Sequence, residues 1–551
     1  MNPRILLVGA AFVALFGAIG LRLVDLGLGS SVAPAAGPAV AGEAPRADLL
    51  DRRGRVLATT VPAPRIVADP AHVRDPAAEA RALAEVLEGV DAADLARRLA
   101  GPGRYTVVRR DAGLDEVEAV RRLGLPALWV EYRHARVYPN GRTAAHLLGY
   151  VDVDNNGLAG AERAFDARLA GPDAAPVHLA VDLAVQAVVE AELRAAKERH
   201  RAAAAAALVM DVRTGELLAA ASLPDFDPHR AGAADPEALK DRNVTQTFEL
   251  GSVFKLLNVA MGLDAGAVGL DTLLDARAPI VVNGHRISDF RPKARPLTVP
   301  EALMHSSNIA NARIALRLGA KRQRAFLADF ALDRPLALET GNVARPQLPR
   351  RWPEVTVATV AFGHGIAITP LHLASAVGGL LGPGHPLTPT LERRAEAATR
   401  PAMVDRRVVE TMRGLAWRVA TEGSGRKAQV PGYLVGGKTG TAEKIGPGGT
   451  YQEGKVRSSF VAAVPIHAPR WVVFVMLDEP VGVGDRPDLY YGGWTAAPAV
   501  GAMIARIGPI LGLEPSPAGA VRDLRRWGGL TPVIDAREDE GGADAARRSR
   551  G

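Results

Sequence analysis

The chain of 551 residues contains no cysteine. That excludes structural disulfides and thiolate chemistry, though it does not fix the compartment. Charge is not concentrated either: the formal net charge is +7, and no basic stripe interleaved with aromatics runs along any segment. No nucleic-acid partner is expected from such a chain. Metal-ligand spacing is also missing. His146 in RTAAHLLGY and His364 in FGHGIA each stand alone, so both read as structural histidines, with no metal and no cofactor implied. Long apolar runs are scarce. The N-terminal run ILLVGAAFVALFGAIGL extends from Ile5 to Leu21 without a charge, and at a rise of about 1.5 Å per residue it covers roughly 26 Å, near the short limit for a bilayer. Arg4 before it gives a weak bias that leaves residues 1–4 in the cytoplasm and the rest outside. A cleaved signal peptide is the rival reading, because SSVAPAAGPAVAG supplies small residues. These begin several positions beyond the run, so an uncleaved anchor is preferred.

What is present falls into segments. Residues 1–26 are read as cytoplasmic stub and anchor, and 27–45, rich in Ala, Pro, Gly and Ser, as a linker. From 46 to 175 short β-like runs (GRVLATT, PRIVAD, ALWVEY) mix with helical stretches such as PAAEARALAEVLEGV, the pattern of an α+β module. A larger region, 176–515, opens with a strand and a long helix (VHLAVDLAVQAVVEAELRAAKERH) and a strand pair about RTG. It closes with GYLVGGKTGTAEK, SSFVAAVP and WVVFVMLDEP, which read as consecutive strands of an antiparallel sheet. The tail 516–551 is charged and poor in apolar residues and is expected to be disordered. No internal repeat is visible.

Within the larger region, ELGSVFKLLNVAMGL places Lys255 three residues after Ser252 in an otherwise apolar run. On a helix the two share a face, while Val253, Phe254, Leu256, Leu257, Val259 and Met261 cover the other directions. A lysine held in an apolar site has its charged form disfavoured and can act as a base toward a neighbouring hydroxyl. Taken alone, a helix cap with a snorkelling lysine explains the pattern equally well. Indeed Ser424 and Lys427 repeat the spacing in EGSGRKAQ, where glycines replace the apolar helix and a loop is expected. Downstream, MHSSNIANARIAL carries Ser306 and Asn308 ahead of a helical pattern, and GGKTGTAEK carries Lys438, Thr439, Gly440 and Thr441 on an expected edge strand. Each is weak alone; in this order they form the set S-x-x-K, S-x-N and K-T-G known for penicillin-binding proteins and related β-lactamases.

With RADLLDRRGRVLA, RVYPNGRTAAHLLGYVDVDNNGLAGAE, RTGELLAAASLPDFDP, DRNVTQTFELGSVFK and FGHGIAITP, the chain resembles a class B penicillin-binding protein of the cell-division type, a peptidoglycan D,D-transpeptidase. The resemblance implies an α+β architecture of membrane anchor, pedestal and transpeptidase domain, the last an antiparallel sheet flanked by helices. It implies that Ser252 attacks the penultimate D-alanine carbonyl and that Lys255 is the base. Ser306 would relay a proton to the leaving nitrogen beside Lys438, and Asn308 would orient Lys255. The amides of Ser252 and Thr441 would form the oxyanion hole, and the hydroxyls of Thr439 and Thr441 would hold the substrate carboxylate. Arg46, Arg136, Asp152 and Glu162 would make a buried polar junction. Implied partners are peptidoglycan stem peptides, β-lactams, the inner membrane, a septal glycosyltransferase and other division proteins, with the catalytic domain in the periplasm. Two departures from the family pattern are Leu250, where proline is usual, and Ala310, where glycine commonly follows the triad. Alternatives stay open: an elongation-type transpeptidase, a D,D-carboxypeptidase, or a non-catalytic β-lactam sensor or scaffold. A β-lactamase fits less well, since no counterpart of the class A water-positioning glutamate is found.

Overall fold

The computed structural model describes residues 16–17, 45–171, 173–396, 400–446, 450–517 and 519–529. The apolar run at 5–21 therefore lies outside the described residues except for Phe16 and Gly17, and among the described residues no helix is long and apolar enough to cross a membrane. The chain divides into two compact units. One holds Thr60–Arg136 with the residues up to Arg46, and the other holds Ala47–Thr59 and everything from Val137 onward.

In the smaller unit, helices Pro76–Val86, Ala92–Leu99 and Leu114–Arg122 accompany strands Thr106–Arg109 and Leu128–Val137, both of which pair with strand Val56–Ala68. The first helix starts where Asp75 accepts the N–H groups of Ala77 and Ala78, with proline in the first turn. Ile66, Leu83, Leu87, Leu95, Leu99 and Val117 form its core. GRVLATT and PRIVAD, read as separate runs, are parts of one 13-residue strand.

The larger unit is built on a five-stranded sheet. Its strands are β1 (Ala204–Asp211), β2 (Leu217–Leu223), β3 (Gly436–Ile445), β4 (Tyr451–Val464) and β5 (Trp471–Asp478), in the order β3-β4-β5-β1-β2, every pair antiparallel. All eight residues of β1 are buried because both faces of the sheet are covered. Alternation divides them: Ala206, Leu208 and Met210 join one core, while Ala205, Ala207 and Val209 join the other. Helices α1 (Leu183–Arg199) and α5 (Ala496–Ile510) supply Val189, Leu193, Val500 and Ile504 to the second core. Helices α2 (Lys255–Asp264), α3 (Asn308–Leu318) and α4 (Arg406–Thr421) supply Leu256, Ile314 and Leu415 to the first.

Two features differ from the sequence reading. Residues 47–59 and 137–175, read with the 46–175 module, lie in the larger unit. There Leu49–Leu50 pairs in parallel with Val177–His178, and the α1 cap Asp182 accepts from Arg53 at 2.7 Å and Arg55 at 2.8 Å. The tail expected to be disordered over 516–551 instead forms helix α6 (Gly519–Trp527), whose Leu524 is fully buried in the first core; residues 530–551 lie outside the described set.

Candidate active site

The nucleophile candidate sits on a forced turn. Gly251 has φ +62°, and a Cβ there would lie 2.5 Å from the Thr441 carbonyl oxygen, so only glycine fits. Gly251–Phe254 form a 3-10 turn and α2 begins at Lys255, so the expected helix starts three residues beyond the serine. The shared face survives: Lys255 Nζ is 3.0 Å from Ser252 Oγ. Lys255 is fully buried. Burial above all, then the neighbouring Lys438 charge, push its pKa well below the ordinary lysine value, with Asp289 opposing.

Ser306 and Ser307 come from the turn between helix Val299–Met304 and α3, and Asn308 is the first residue of α3. Ser307 caps α3 by accepting from Ala310 N–H at 3.0 Å and donates to Asp289 at 2.7 Å. Asp289 also accepts Ile309 N–H at 3.0 Å. This fixes Ser306 in a left-handed conformation, φ +54°, with its carbonyl oxygen 2.6 Å and its hydroxyl 3.1 Å from Lys255 Nζ. Asn308 Oδ1 accepts from Lys255 at 2.7 Å, while its amide donates to the Ser288 carbonyl at 3.1 Å. One turn below Lys255, Asn258 donates to Asn311 at 3.1 Å and ties α2 to α3 inside the core.

Strand β3 is the sheet edge, as expected, and brings Lys438 to 3.1 Å from Ser306 Oγ. Burial lowers the pKa of Lys438 to about 7. Lys438 Nζ is 3.3 Å from Thr439 Oγ1, which lies 2.6 Å from Ser424 Oγ. Thr441 is half-buried and accepts Gly492 N–H at 3.3 Å. The polar chain thus runs Ser252, Lys255, Ser306, Lys438, Thr439, Ser424. Every candidate from the sequence is present: Gly440 belongs because a Cβ there would be 2.4 Å from the Leu250 carbonyl oxygen. The other β3 glycines are required by the protein's own packing. A Cβ at Gly436 would strike Ile466 at 2.4 Å, and one at Gly437 the Val461 carbonyl at 2.2 Å.

Ser424, expected in a loop, joins the site. It lies in a loop, yet it touches the K-T-G strand, while Lys427 packs over the Trp494 ring at 4.2 Å. Asp289 had no sequence signal. His146 bonds the Ala238 carbonyl at 2.8 Å and meets Phe226 edge-on. His364 packs between Phe362 and Tyr451, and burial, then the Lys255 charge, lower its pKa to about 4. Arg46, Arg136 and Glu162 are buried, whereas Asp152 is half-buried and accepts the N–H groups of Asp154 and Asn156. Among the described residues no cluster of His, Cys, Asp or Glu could hold a metal.

The family model described as penicillin binding protein transpeptidase domain matches residues 205–505, and that of the penicillin-binding protein dimerisation domain matches 41–176. The probable peptidoglycan D,D-transpeptidase FtsI of Caulobacter vibrioides is 38% identical over 527 residues, covering 93% of this chain and 89% of the relative. The peptidoglycan D,D-transpeptidase FtsI of Escherichia coli is 31% identical over 507 residues, covering 85% and 84%. Stage V sporulation protein D of Bacillus subtilis is 29% identical, covering 92% and 86%. A peptidoglycan synthetase structure from Bifidobacterium adolescentis shares the fold, with a TM-score of 0.66 at 23% identity over 86% of this chain and 97% of that one. With the serine, the two buried lysines and the edge strand in one chain of contacts, and with the matching domain spanning more than half the sequence, the chain belongs to the penicillin-binding protein transpeptidase family.

Proposed function

We propose that this chain is a serine-type peptidoglycan D,D-transpeptidase that cross-links stem peptides at the division septum through an acyl-enzyme on Ser252, which β-lactams also form. The observation that carries the mechanism is the donor and acceptor count at Lys255. A neutral amine has two N–H groups and one lone pair. The Ser306 carbonyl at 2.6 Å and Asn308 Oδ1 at 2.7 Å take the two donors. The lone pair is left for a hydroxyl proton, with Ser252 Oγ at 3.0 Å. Burial favours that neutral form, so the lysine serves as a base.

The steps follow. Ser252 Oγ attacks the carbonyl of the penultimate D-alanine as its proton passes to Lys255. Amides of Ser252 and Thr441 stabilise the resulting oxyanion. The C–N bond breaks and the leaving D-alanine nitrogen takes a proton through Ser306, beside the positive charge of Lys438. Thr439 and Thr441, with Ser424 against Thr439, hold the terminal carboxylate. An acceptor amine then attacks the ester, gives its proton to Lys255, and Ser252 is restored.

The septal role is supported by the likeness to proteins named FtsI. Residues 5–21 are the proposed inner-membrane anchor, which puts the catalytic unit in the periplasm, and a septal glycosyltransferase with other division proteins are the proposed partners. The test is incubation of the full chain with uncross-linked strands bearing pentapeptide stems. Cross-linked dimers released with one D-alanine per link are expected; trimming to tetrapeptides without dimers would make it a carboxypeptidase.

A further inference from the structure

Two segments bond Glu249, three residues before the proposed nucleophile, and none of the proposed reacting groups is hydrogen-bonded to it. Glu249 is 7% exposed. Its Oε1 accepts Gly365 N–H at 2.8 Å, and its Oε2 accepts the Tyr451 hydroxyl at 3.0 Å. Gly365 belongs to the turn after helix Glu354–Val360, which is pressed onto the nucleophile turn: a Cβ at Gly363 would lie 2.3 Å from the Gly251 carbonyl oxygen. Tyr451 is the first residue of β4, opposite Ile445 at the end of β3, so it stands at the turn end of the hairpin, seven residues along β3 from Lys438. On its other side the His364 ring lies 5.5 Å from the Tyr451 ring. Phe248, just before Glu249, exchanges backbone hydrogen bonds with Ile368 at 2.8 and 3.0 Å. The approach to Ser252 is therefore held by backbone pairing on one side and by the Glu249 carboxylate on the other, beside the close Gly251 and Gly440 contacts with β3. A buried carboxylate bonded to two segments costs desolvation, and burial indeed raises the pKa of Glu249 against the opposing Gly365 and Tyr451 bonds.

We propose that Glu249 is a positioning residue for Ser252, clamping the nucleophile turn at once to the Gly363–Gly365 turn and to the β3–β4 hairpin. The clamp rests on the transpeptidase reading above. It sets the distance between Ser252 and strand β3, across which the acyl donor must lie, and so acts on the chemical step and not on initial binding.

The experiment is stopped-flow acylation of the full chain by a fluorescent penicillin, resolving the acylation rate constant from the dissociation constant of the first complex, with thermal melting alongside. Glu249→Ala should lower the rate constant at least about tenfold, the scale of a small misplacement of a reacting group, with the dissociation constant within about threefold. Glu249→Gln keeps a carbonyl for Gly365 N–H and an amide for the Tyr451 oxygen, so it should recover to within about threefold of the native rate constant. Tyr451→Phe removes one arm of the clamp and should fall between them, and it carries the test if Glu249→Ala does not fold. A native rate constant in Glu249→Ala or Tyr451→Phe, a Gln variant as slow as Ala, or a loss confined to the dissociation constant overturns the clamp. Failure of the unsubstituted chain to be acylated would instead sink the transpeptidase reading itself.

Discussion

Two buried lysines give the site its pH behaviour. Lys438, held 3.1 Å from Ser306 Oγ, has a pKa lowered to about 7 by burial, against an ordinary 10.5. In the free protein its positive charge is present below that value and is lost as pH rises through it. Acylation should therefore decline on an alkaline limb near pH 7. Lys438→Ala should abolish that limb and slow acylation by about a hundredfold, the worth of one well-placed electrostatic group. A pH series of acylation rates checks both. Lys255→Arg should abolish acylation, because a guanidinium stays protonated and offers no lone pair to Ser252; near-native labelling of that variant would remove Lys255 as the base. These residues were legible because each sits in a short motif that can be recognised in the sequence, although Lys255 and Lys438 meet Ser306 from 51 and 132 positions away. Ser424 was not, since its partner Thr439 is fifteen positions downstream and their contact exists only once β3 is laid against the end of α4. Asp289 is likewise invisible without the fold, because it reaches the α3 cap from eighteen residues upstream.

Among the elements, the nucleophile turn and β3 are fitted to each other through glycine. Gly251 meets the Thr441 carbonyl and Gly440 the Leu250 carbonyl at distances no Cβ allows. At the two departures, Leu250 is 2% exposed and Ala310 donates its N–H to the Ser307 cap. The sheet strands were readable from apolar runs, and α1 and α2 from their apolar patterns. Helix α6 was missed because GAVRDLRRW is short and charged, and its Leu524 shows its role only when packed into the first core. Leu524→Ala should cost roughly 2–4 kcal/mol by leaving a cavity, while acylation by penicillin stays native. Urea denaturation measures the first and labelling the second; an unchanged midpoint would show that the helix does not stabilise the unit.

For the whole molecule, the module read over 46–175 coincides closely with the dimerisation-domain match at 41–176, while contacts divide the chain at other points. Strand Val56–Ala68 runs through both: its first residues pair with Leu49–Leu50 in the larger unit and its last with Thr106–Arg109 in the smaller. A continuous strand carries no compositional mark where one unit yields to the other, so the sequence suggested a single module over 46–175. In the cell, a septal transpeptidase predicts that depletion gives filaments of normal width, whereas rounded or widened cells with normal septa would point to the elongation type. The central claim is a covalent one, that Ser252 alone in the full chain becomes acylated. Its most direct measurement is mass spectrometry of the penicillin-treated protein after proteolysis. One adduct is expected, on the peptide containing Ser252 and absent from Ser252→Ala; an adduct that persists in that variant, or that sits on the peptide containing Ser424, would contradict the account.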